Sequence, residues 1–296
     1  MLLRQQPFYA SLTSRWPGLV ERVRQAVEDS ERKFTGSKAA GPGHLWEHTV
    51  LVAGLAFGLA EDEGESPDLA AVAALFHDAG KFSGGRYHRD DRAEEEEAAR
   101  LAREVLSESG MKVTEVGRIV RAVRSLYLSG ARRSKLADIV HDADFLAKFG
   151  LLGVAGFFVK STLRGRNLEA AIINFLSKEL TYAAVLPANM RTGPGRKMAV
   201  RKSADTLRFY KAFLGELKQA HGLDFRVRKA RVSRPAGKAG AVEVQYVLPA
   251  ACGACGGPWQ AEFRTEKGVK CETLEAAVRC ASCGGGHAIS FCLPEI

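Results

Sequence analysis

Apolar positions recur every three or four residues over most of the chain before Leu223, a spacing that predicts amphipathic helices. The predicted helical ranges are 8–34 with a break at Pro17 and Gly18, 46–61, 68–74, 90–109, 113–128, 134–149, 168–184 and 203–219. After Leu223 the period changes to two, and strands are predicted at 242–248, 260–264 and 288–293. The chain is therefore predicted to be mainly α, with an all-helical bundle over residues 1–222 and a small β domain over residues 223–296.

Length and hydropathy limit the class of protein. The chain has 296 residues, enough for one large domain or two with a sizeable apolar core. No apolar run reaches 18 residues, so no membrane span is predicted. The first residues lack the apolar segment and cleavage site of a signal peptide, and a cytoplasmic protein is expected.

Positive charge is concentrated late in the chain. The net charge is +9, and fourteen Lys and Arg residues between Arg191 and Lys238 are opposed by only three carboxylates. Within this region Pro187–Arg201 is predicted to be a basic loop, and residues 226–240 an exposed linker or a first irregular strand. Such an excess favours a polyanionic partner, and a soluble basic protein is the alternative.

Four residues that can bind a metal ion lie on three predicted helices. His77 and Asp78 end a very apolar helical segment, where an imidazole and a carboxylate are costly to bury without a partner. His48 begins the apolar stripe of the 46–61 helix, and Asp144 lies on the mainly apolar 134–149 helix. Two imidazoles and two carboxylates suit Mn, Fe, Zn, Ni or Mg and argue against a soft thiolate site.

The order His…His-Asp…Asp, with LFHDAGK around the doublet and DADFLAKFG around the last aspartate, resembles the HD-domain superfamily of metal-dependent phosphohydrolases. The resemblance covers roughly residues 40–150. It implies a helical HD domain that holds one or two divalent ions (Mn, Fe, Ni, Co or Mg) through His48, His77, Asp78 and Asp144. It also implies hydrolysis of a phosphate ester by a metal-activated water, with Asp78 as the carboxylate expected to bridge two ions.

Further residues are candidates for the same reaction. Lys81 is expected to reach a metal-bound phosphate, unless it only complements the helix dipole. His88 is the candidate ligand of a second ion, with a solvated loop histidine as the alternative. Candidate contacts to substrate phosphate are His44, Arg164, Arg191 and Arg196. His141 is a candidate to orient Asp144, whereas Glu94–Glu97 is expected to be a solvated helix face.

Four cysteines form two Cys-x-x-Cys pairs, and each pair is followed by two glycines. The pairs are Cys252 with Cys255 and Cys280 with Cys283. Four thiolates on two tight turns make a closed tetrahedral zinc site, and this part of the chain resembles a zinc ribbon with a structural zinc. Cys271 and Cys292 are expected in strands, with replacement of an assigned ligand as the alternative.

The expected function is metal-dependent hydrolysis of a phosphomonoester or phosphodiester, in a nucleotide or a nucleic acid. The basic segment and the ribbon would present a polyanionic substrate to the helical site. One alternative is a nucleic-acid-binding or adaptor protein that uses a catalytically silent HD scaffold. Another is a small-molecule nucleotidase whose ribbon docks a protein, with a homo-oligomer formed through the helical domain or the ribbon.

Overall fold

The structure, a computed structural model, describes residues 6–35, 44–85, 92–126, 133–163, 165–221, 224–233, 241–267 and 272–293. They belong to two compact units. Unit 1 comprises Met1–Ala147 and Met190–Lys197, and unit 2 comprises Lys148–Asn189 and Met198–Ile296. Within the described ranges strands occur only after residue 224, so the predicted mainly α class with a small β module is confirmed. Among the same residues, no helix combines the length and apolar character that crossing a membrane would require.

Among the described residues of unit 1, seven α-helices precede residue 148. They are α1 (Pro7–Arg15), α2 (Leu19–Thr35), α3 (His44–Glu63), α4 (Pro67–Phe76), α5 (Arg92–Ser107), α6 (Val113–Ser125) and α7 (Lys135–Ala147). All were predicted from the apolar period, and their bounds differ from the prediction by a turn or less. The break between α1 and α2 falls at Pro17 and Gly18, where Gly18 has a φ of 76°, a left-handed conformation that glycine adopts without strain.

Helix α4 is apolar on every side, and all residues from Leu69 to Phe76 are buried. It begins at Pro67, and the Ser66 hydroxyl accepts a hydrogen bond from the N–H of Leu69 at 3.4 Å. Helices α3, α5, α6 and α7 pack around it. Because apolar burial is the main stabilising term in folding, α4 forms the core of unit 1, and the turn after it also lies inside that core.

Unit 2 begins with α8 (Leu151–Leu163) and α9 (Leu168–Asn189) and contains most of α10 (Gly193–His221). One buried apolar cluster joins these helices to the following strands through Val154, Ile172, Leu176, Leu180, Tyr210, Leu217 and Val247. The sequence pattern does not predict α8, because LLGVAGFFVKSTL is apolar without a polar stripe and therefore has no clear helical period.

The basic stretch Pro187–Arg201, predicted to be a loop, is helical except at residues 190–192. Helix α9 continues through Pro187 to Asn189, and α10 begins at Gly193. The prediction is wrong because the prolines and glycines of this stretch stand at helix ends. Pro194 lies in the first turn of α10, where a missing N–H costs no intrahelical hydrogen bond.

Five strands follow α10 in the part of the chain that the structure describes. They are β1 (Phe225–Ser233), β2 (Ala241–Pro249), β3 (Trp259–Lys267), β4 (Glu272–Cys280) and β5 (Gly286–Leu293). Strands β1 and β2 form an antiparallel pair, and β3, β4 and β5 form an antiparallel sheet in chain order. The predicted β2, β3 and β5 are confirmed, and β1 is regular. The prediction misses β4, because the Ala, Glu and Arg residues of ETLEAAVRC favour a helix.

Side chains of α9 hydrogen-bond to one edge of β2. The Ser177 hydroxyl accepts from the N–H of Val247 at 3.0 Å, and the Thr181 hydroxyl accepts from the N–H of Gln245 at 3.1 Å. One helical turn rises about 5.4 Å and two strand residues about 6.8 Å, so side chains four apart on α9 can reach alternate N–H groups of β2. The β1–β2 pair is thereby attached to the helices of unit 2, and the division of the chain into domains 1–222 and 223–296 remains a prediction.

Unit 2 buries a carboxylate that has no hydrogen bond to its Oε2 atom among the described residues. Glu179 of α9 is 1% exposed. Burial raises the pKa of Glu179 to about 8, although the positive charges of Lys178 and Lys202 act in the opposite direction. Burial also lowers the pKa of Lys202, whose Nζ donates to the carbonyl oxygen of Phe149 at 3.1 Å. Glu179 is therefore protonated in much of the folded protein near neutral pH.

Replacing Glu179 is expected to change how stability depends on pH. Its pKa is higher in the folded state than the usual 4.5, so the folded state binds the proton more tightly than the unfolded state. The free energy of unfolding should therefore fall, by an amount on the order of a few kcal/mol, as the pH rises from about 4.5 to about 8. Glu179→Gln should reduce this fall. Urea denaturation at several pH values measures this dependence, with Glu216→Gln, at an exposed position, as the control. If the free energy of unfolding varied with pH identically in wild type and Glu179→Gln, the raised pKa of Glu179 would be contradicted.

Candidate metal centre

Three segments of unit 1 place two imidazoles and two carboxylates together. His48 lies near the start of α3, His77 and Asp78 lie in the turn after α4, and Asp144 lies on α7. His48 Nε2 is 3.0 Å from Asp144 Oδ1 and 4.0 Å from Asp78 Oδ2. His77 Nε2 is 3.5 Å from Asp144 Oδ1 and 3.6 Å from Asp78 Oδ2. The four residues selected from the sequence therefore converge, and their role as ligands remains a prediction.

The backbone holds the ring of His77 in one orientation. Its Nδ1 lies 2.7 Å from the carbonyl oxygen of Ala74, so Nδ1–H donates and Nε2 carries the lone pair. The side chains of His77, Asp78 and Asp144 are 0%, 4% and 2% exposed. Acceptor atoms that face each other in so dry a site repel unless a proton or a metal ion lies among them.

A divalent cation fits this set of donor atoms in charge, chemistry and spacing. Two carboxylates balance a charge of +2, and with two imidazoles they form the mixed nitrogen and oxygen set that Mn, Fe, Co, Ni, Zn or Mg can occupy. Ligand atoms of His48, His77 and Asp78 all lie within 4.8 Å of one another. Neighbouring ligands of an octahedral ion with bonds of about 2.1 Å lie about 3 Å apart. Asp144 adds a fourth ligand through its short distances to both imidazoles.

Lys81 contacts one of these carboxylates directly. Its Nζ donates a hydrogen bond to Asp78 Oδ2 at 2.5 Å, and its side chain is 22% exposed. The N–H of Lys81 also donates to the carbonyl oxygen of Asp78 at 3.0 Å, which fixes the turn. The ammonium group is thus held beside the cluster while part of the side chain still meets solvent. Its contact with a substrate phosphate remains a prediction.

Gly80 allows the turn that carries His77 and Asp78 to lie against α5. The sequence suggests Gly80 as the end of the helix, but α4 ends earlier, at Phe76. A Cβ atom on Gly80 would lie 2.0 Å from the carbonyl oxygen of Glu94 and 2.8 Å from the backbone nitrogen of Ala98. Only a residue without a side chain fits this approach, so the glycine serves close packing rather than helix termination.

Asp142 is a buried carboxylate that the sequence analysis did not select. It is 0% exposed, and its two oxygens accept from the N–H of Arg191 at 3.0 Å, the N–H of Thr192 at 2.8 Å and the Thr192 hydroxyl at 2.8 Å. Asp142 therefore joins α7, which carries Asp144, to the turn before α10. Residues two apart on a helix point in opposite directions, so Asp142 and Asp144 face different partners, but the sequence pattern does not show which groups Asp142 meets.

His141 and Gly195 belong to the same arrangement. His141 Nδ1 lies 3.0 Å from Asp142 Oδ1, and its ring lies on Phe145 with centroids 4.7 Å apart. Burial lowers the pKa of His141, although the adjacent Asp142 acts against this shift. A Cβ atom on Gly195 would meet Asp142 Oδ2 at 2.5 Å, so the start of α10 approaches Asp142 as closely as the backbone permits. His141 thus contacts Asp142, and its predicted effect on Asp144 remains a prediction.

Two arginines predicted to contact phosphate are engaged by protein groups. Arg191 Nη1 donates to the carbonyl oxygen of Leu126 at 2.8 Å and lies 3.5 Å from Asp138 Oδ1. Arg196 is exposed, and its Nη2 donates to the carbonyl oxygen of Met190 at 3.3 Å. Their roles remain predictions. Three other candidates lie outside the described residues: His88, Arg164 and the side chain of His44.

The acidic run at the start of α5 is only partly solvated. Glu94 and Glu95 are buried, at 3% and 6% exposure, whereas Glu96 pairs with Arg124 at 2.9 Å near the surface. The expectation of a fully solvated face is therefore wrong for two of the four residues. The reason is that the first turn of α5 packs against the turn at Gly80.

A second cluster with metal-ligand chemistry lies in unit 2. The thiols of Cys252, Cys255, Cys280 and Cys283 lie within 4.8 Å of one another. Both pairs occupy the same kind of turn. The N–H of Gly256 donates to the carbonyl oxygen of Cys252 at 2.7 Å, and the N–H of Gly284 donates to that of Cys280 at 3.0 Å. Gly256 and Gly284 have φ values of 72° and 74°, which explains the glycine after each pair.

The spacing of these sulfurs fits a zinc ion and excludes disulfides in this structure. Cys252 Sγ and Cys283 Sγ are 3.7 Å apart, and Cys255 Sγ and Cys280 Sγ are 3.4 Å apart. A tetrahedral zinc with Zn–S bonds of about 2.3 Å places its sulfurs about 3.8 Å apart, against roughly 2.05 Å in a disulfide. Hydrogen bonds from the backbone N–H groups of Cys283 and Ser282 lower the pKa of the Cys280 thiol to about 6, which favours the thiolate that zinc binds.

Comparison with known proteins finds a family match for the part of the chain that carries the candidate ligands. Residues 45–148 match the family model of the HD domain, a range that contains all four candidate ligands. Similar solved structures include Bacillus subtilis YpgQ in complex with ADP, at 20% identity over 69% of this chain and 96% of that chain, with a TM-score of 0.48. A predicted HD superfamily hydrolase from an uncultured Thermotogales bacterium is 23% identical over 70% of this chain and 97% of its own, with a TM-score of 0.49.

An HD-superfamily hydrolase from Bacillus thuringiensis is 21% identical over 68% of this chain and 98% of its own, with a TM-score of 0.49. At these TM-scores the structural likeness is too distant to assign a residue role or a substrate. No curated protein matches the chain. The family match over residues 45–148 is therefore the comparison that bears on function.

Removing the Asp142 carboxylate is expected to destabilise the protein strongly. Asp142→Ala leaves the buried N–H groups of Arg191 and Thr192 and the Thr192 hydroxyl without their acceptor, at a cost of about 3 kcal/mol or more. Asp142→Asn keeps one acceptor oxygen and should cost less. Asp205→Ala, which removes an exposed ion pair of α10, should cost at most about 1 kcal/mol. Urea denaturation measures all three, and a cost for Asp142→Ala no larger than that for Asp205→Ala would exclude this role.

The cysteine cluster is expected to hold about one zinc ion per chain. Cys280→Ser should lower the zinc content by about one equivalent and lower Tm, because the ribbon turns lose their common ligand. Cys271→Ser should retain the zinc and serves as the control for an alternative ligand. Elemental analysis with thermal denaturation checks both variants. Unchanged zinc content in Cys280→Ser would remove this residue from the site.

Proposed function

Because residues 45–148 form an HD domain, we propose that this protein is a metal-dependent phosphohydrolase that cleaves a phosphomonoester or phosphodiester of a nucleotide or nucleic acid. The HD domain supports a metal-dependent hydrolase in general. The observation that carries the proposal is the convergence of two imidazoles and two carboxylates on a site in which three of the four side chains are almost fully buried. Such a set of donor atoms is suited to binding a divalent ion, whereas in a purely structural core it would be costly to bury.

His48, His77, Asp78 and Asp144 would hold the ion. When bound, it supplies a Lewis acid for the phosphoryl group and lowers the pKa of a water ligand toward neutrality. The chain contributes the preformed geometry, since the carbonyl of Ala74 fixes the ring of His77. It also supplies a dry surrounding, because α4 and α7 bury the residues before and after these ligands. Electrostatic interactions are stronger in such surroundings than in water.

Lys81 is the residue that would act on the phosphate itself. Its ammonium lies on Asp78 and remains partly exposed, so an arriving phosphoryl oxygen can meet a positive charge at the edge of the cluster. In this role Lys81 shares its positive charge between Asp78 and the substrate and helps to orient the phosphoryl group. A second ion is part of the proposal only if His88 provides a ligand, and Asp78 would then be the bridging carboxylate.

The alternative from another class is a nucleic-acid-binding or adaptor protein with a silent HD scaffold. It is favoured by the concentration of basic residues between Arg191 and Lys238 and by the cysteine module that follows. Binding of nucleic acid without turnover would support it. Removing residues 225–296 does not separate the hypotheses cleanly, because the deletion takes β2 away from α9 and opens the core of unit 2.

The hydrolase is tested by phosphate and nucleoside release from nucleotides and short oligonucleotides with Mn, Mg, Co, Ni or Fe supplied. Wild-type turnover should require the metal, and Asp78→Ala should lower it by about 100-fold or more, because a ligand and the partner of Lys81 are lost. Asp62→Asn, an exposed change on α3, should leave turnover unchanged. Calorimetric titration with Mn should detect binding to wild type and Asp62→Asn and much weaker binding to Asp78→Ala.

The outcomes distinguish the two functions. Metal binding without turnover over the whole substrate panel would favour the silent scaffold. Turnover that persists unchanged in Asp78→Ala would place the reaction elsewhere in the chain. Loss of turnover in Lys81→Ala with metal affinity retained would assign Lys81 to the substrate rather than to the ion.

A further inference from the structure

The solvent-facing side of α10 carries a row of positive charges. Its members, here called the basic stripe, are Arg201, Arg208, Lys211 and Lys218, and all four are exposed. At 3.6 residues per turn they fall within an arc of about 100°. The two carboxylates of the helix, Asp205 and Glu216, lie outside this arc by the same geometry. The stripe therefore presents one sign of charge along one face, and all of it belongs to unit 2.

Some cations on other exposed helices are paired within their own helix. Arg24 pairs with Glu28 at 2.8 Å on α2, and Arg100 pairs with Glu97 at 3.0 Å on α5. In the basic stripe, Arg208 pairs with Asp205 of the same helix, whereas neither Arg201 nor Lys211 has a carboxylate partner among the described residues. Two of the four charges of the basic stripe are thus not neutralised by a neighbouring carboxylate of α10.

The positive surface continues from α10 to β1. Asp224 lies 3.6 Å from Lys218 and 3.4 Å from Arg226, and the side chains of these two cations are 67% and 65% exposed. One carboxylate shared by two cations leaves a net positive charge. The basic stripe therefore extends past the end of the helix to Arg226 on the first strand.

The dimensions match a nucleic-acid backbone. The 17-residue separation of Arg201 and Lys218 corresponds to about 26 Å along a helix, the length of seven or eight base pairs at about 3.4 Å each. Long, exposed Lys and Arg side chains contact phosphates without reading sequence. A row of such contacts supplies affinity and fixes the orientation of the bound strand.

We propose that the basic stripe, with Arg226, is a docking surface for the phosphodiester backbone of a nucleic acid. The inference deepens the proposed function, because it makes the substrate class a polynucleotide rather than a free nucleotide. Binding at the stripe does not require turnover, so the two proposals can fail separately. The expected binding is independent of sequence and weakens steeply with salt, as contacts with phosphates do.

The test is fluorescence anisotropy of end-labelled single-stranded and duplex oligonucleotides at several salt concentrations, with Asp78→Ala protein so that no substrate is consumed. In this background the pair Arg201→Gln and Lys211→Gln should lower single-strand affinity by about 10-fold or more. It should also reduce the slope of log K against log salt by about 1.4, or about 0.7 for each lost contact. Arg103→Gln with Arg121→Gln removes two exposed cations of unit 1 and should change affinity less than about 2-fold.

Several results would overturn this inference. They are the absence of oligonucleotide binding, equal salt slopes for the stripe pair and the control pair, and tighter binding to vesicles with anionic lipid than to any oligonucleotide. The circular dichroism spectrum and the Tm must be unchanged in both pairs of variants, as a control for folding. The charge-conserving pair Arg201→Lys with Lys211→Arg should bind oligonucleotides as the unsubstituted stripe does, because the proposal requires only the positive charge. Turnover of mononucleotides by the stripe pair in an otherwise wild-type chain reports on the hydrolase separately. Salt-dependent binding without any turnover would remove the proposed function and leave the docking surface.

Discussion

Burial of carboxylates is the constraint on which most of this structure depends. Asp78 and Asp144 lie in the core of unit 1, next to two imidazoles, where an unbalanced negative charge would cost several kcal/mol. The apolar helix α4 makes the site dry, and the turn after it carries His77 and Asp78 into the same core. A cation among these side chains would therefore both stabilise the fold and supply the chemistry of the candidate site. Lys81 meets part of it, and a divalent ion is the remaining partner that fits.

The protein stabilises buried carboxylates in three different ways. Asp78 accepts from the Lys81 ammonium and Asp144 lies against two imidazoles, whereas Asp142 depends on hydrogen bonds from the turn before α10. Glu179 has neither kind of partner in sufficient number, and its raised pKa shows that a proton takes that place. The same functional group thus serves a candidate metal site, a structural connection and a titrating core position. Which of these it serves is decided by the donors around it.

Unit 2 combines two small sheets with helices, and its small sheets need stabilisation beyond their own apolar core. A three-stranded sheet alone buries little apolar surface, and the four cysteines lie where a zinc ion would cross-link its turns. The other pair of strands is attached to α9 by Ser177 and Thr181, whose hydroxyls occupy N–H groups along β2. Covering that edge also removes a strand edge on which another chain could pair. The exposed face of α10 does not take part in these contacts and carries the positive charges of the basic stripe.

The sequence by itself determined the helices of unit 1, the four candidate metal ligands and the two cysteine pairs. These depend on local period and residue type, which a single chain displays directly. Only the tertiary structure decided that Asp142, two residues from Asp144, has a separate set of partners, that Glu94 is buried, and that Gly80 serves close packing. The reason is physical: a carboxylate or a glycine takes its role from backbone groups distant in sequence, and no local pattern specifies which of them will meet it.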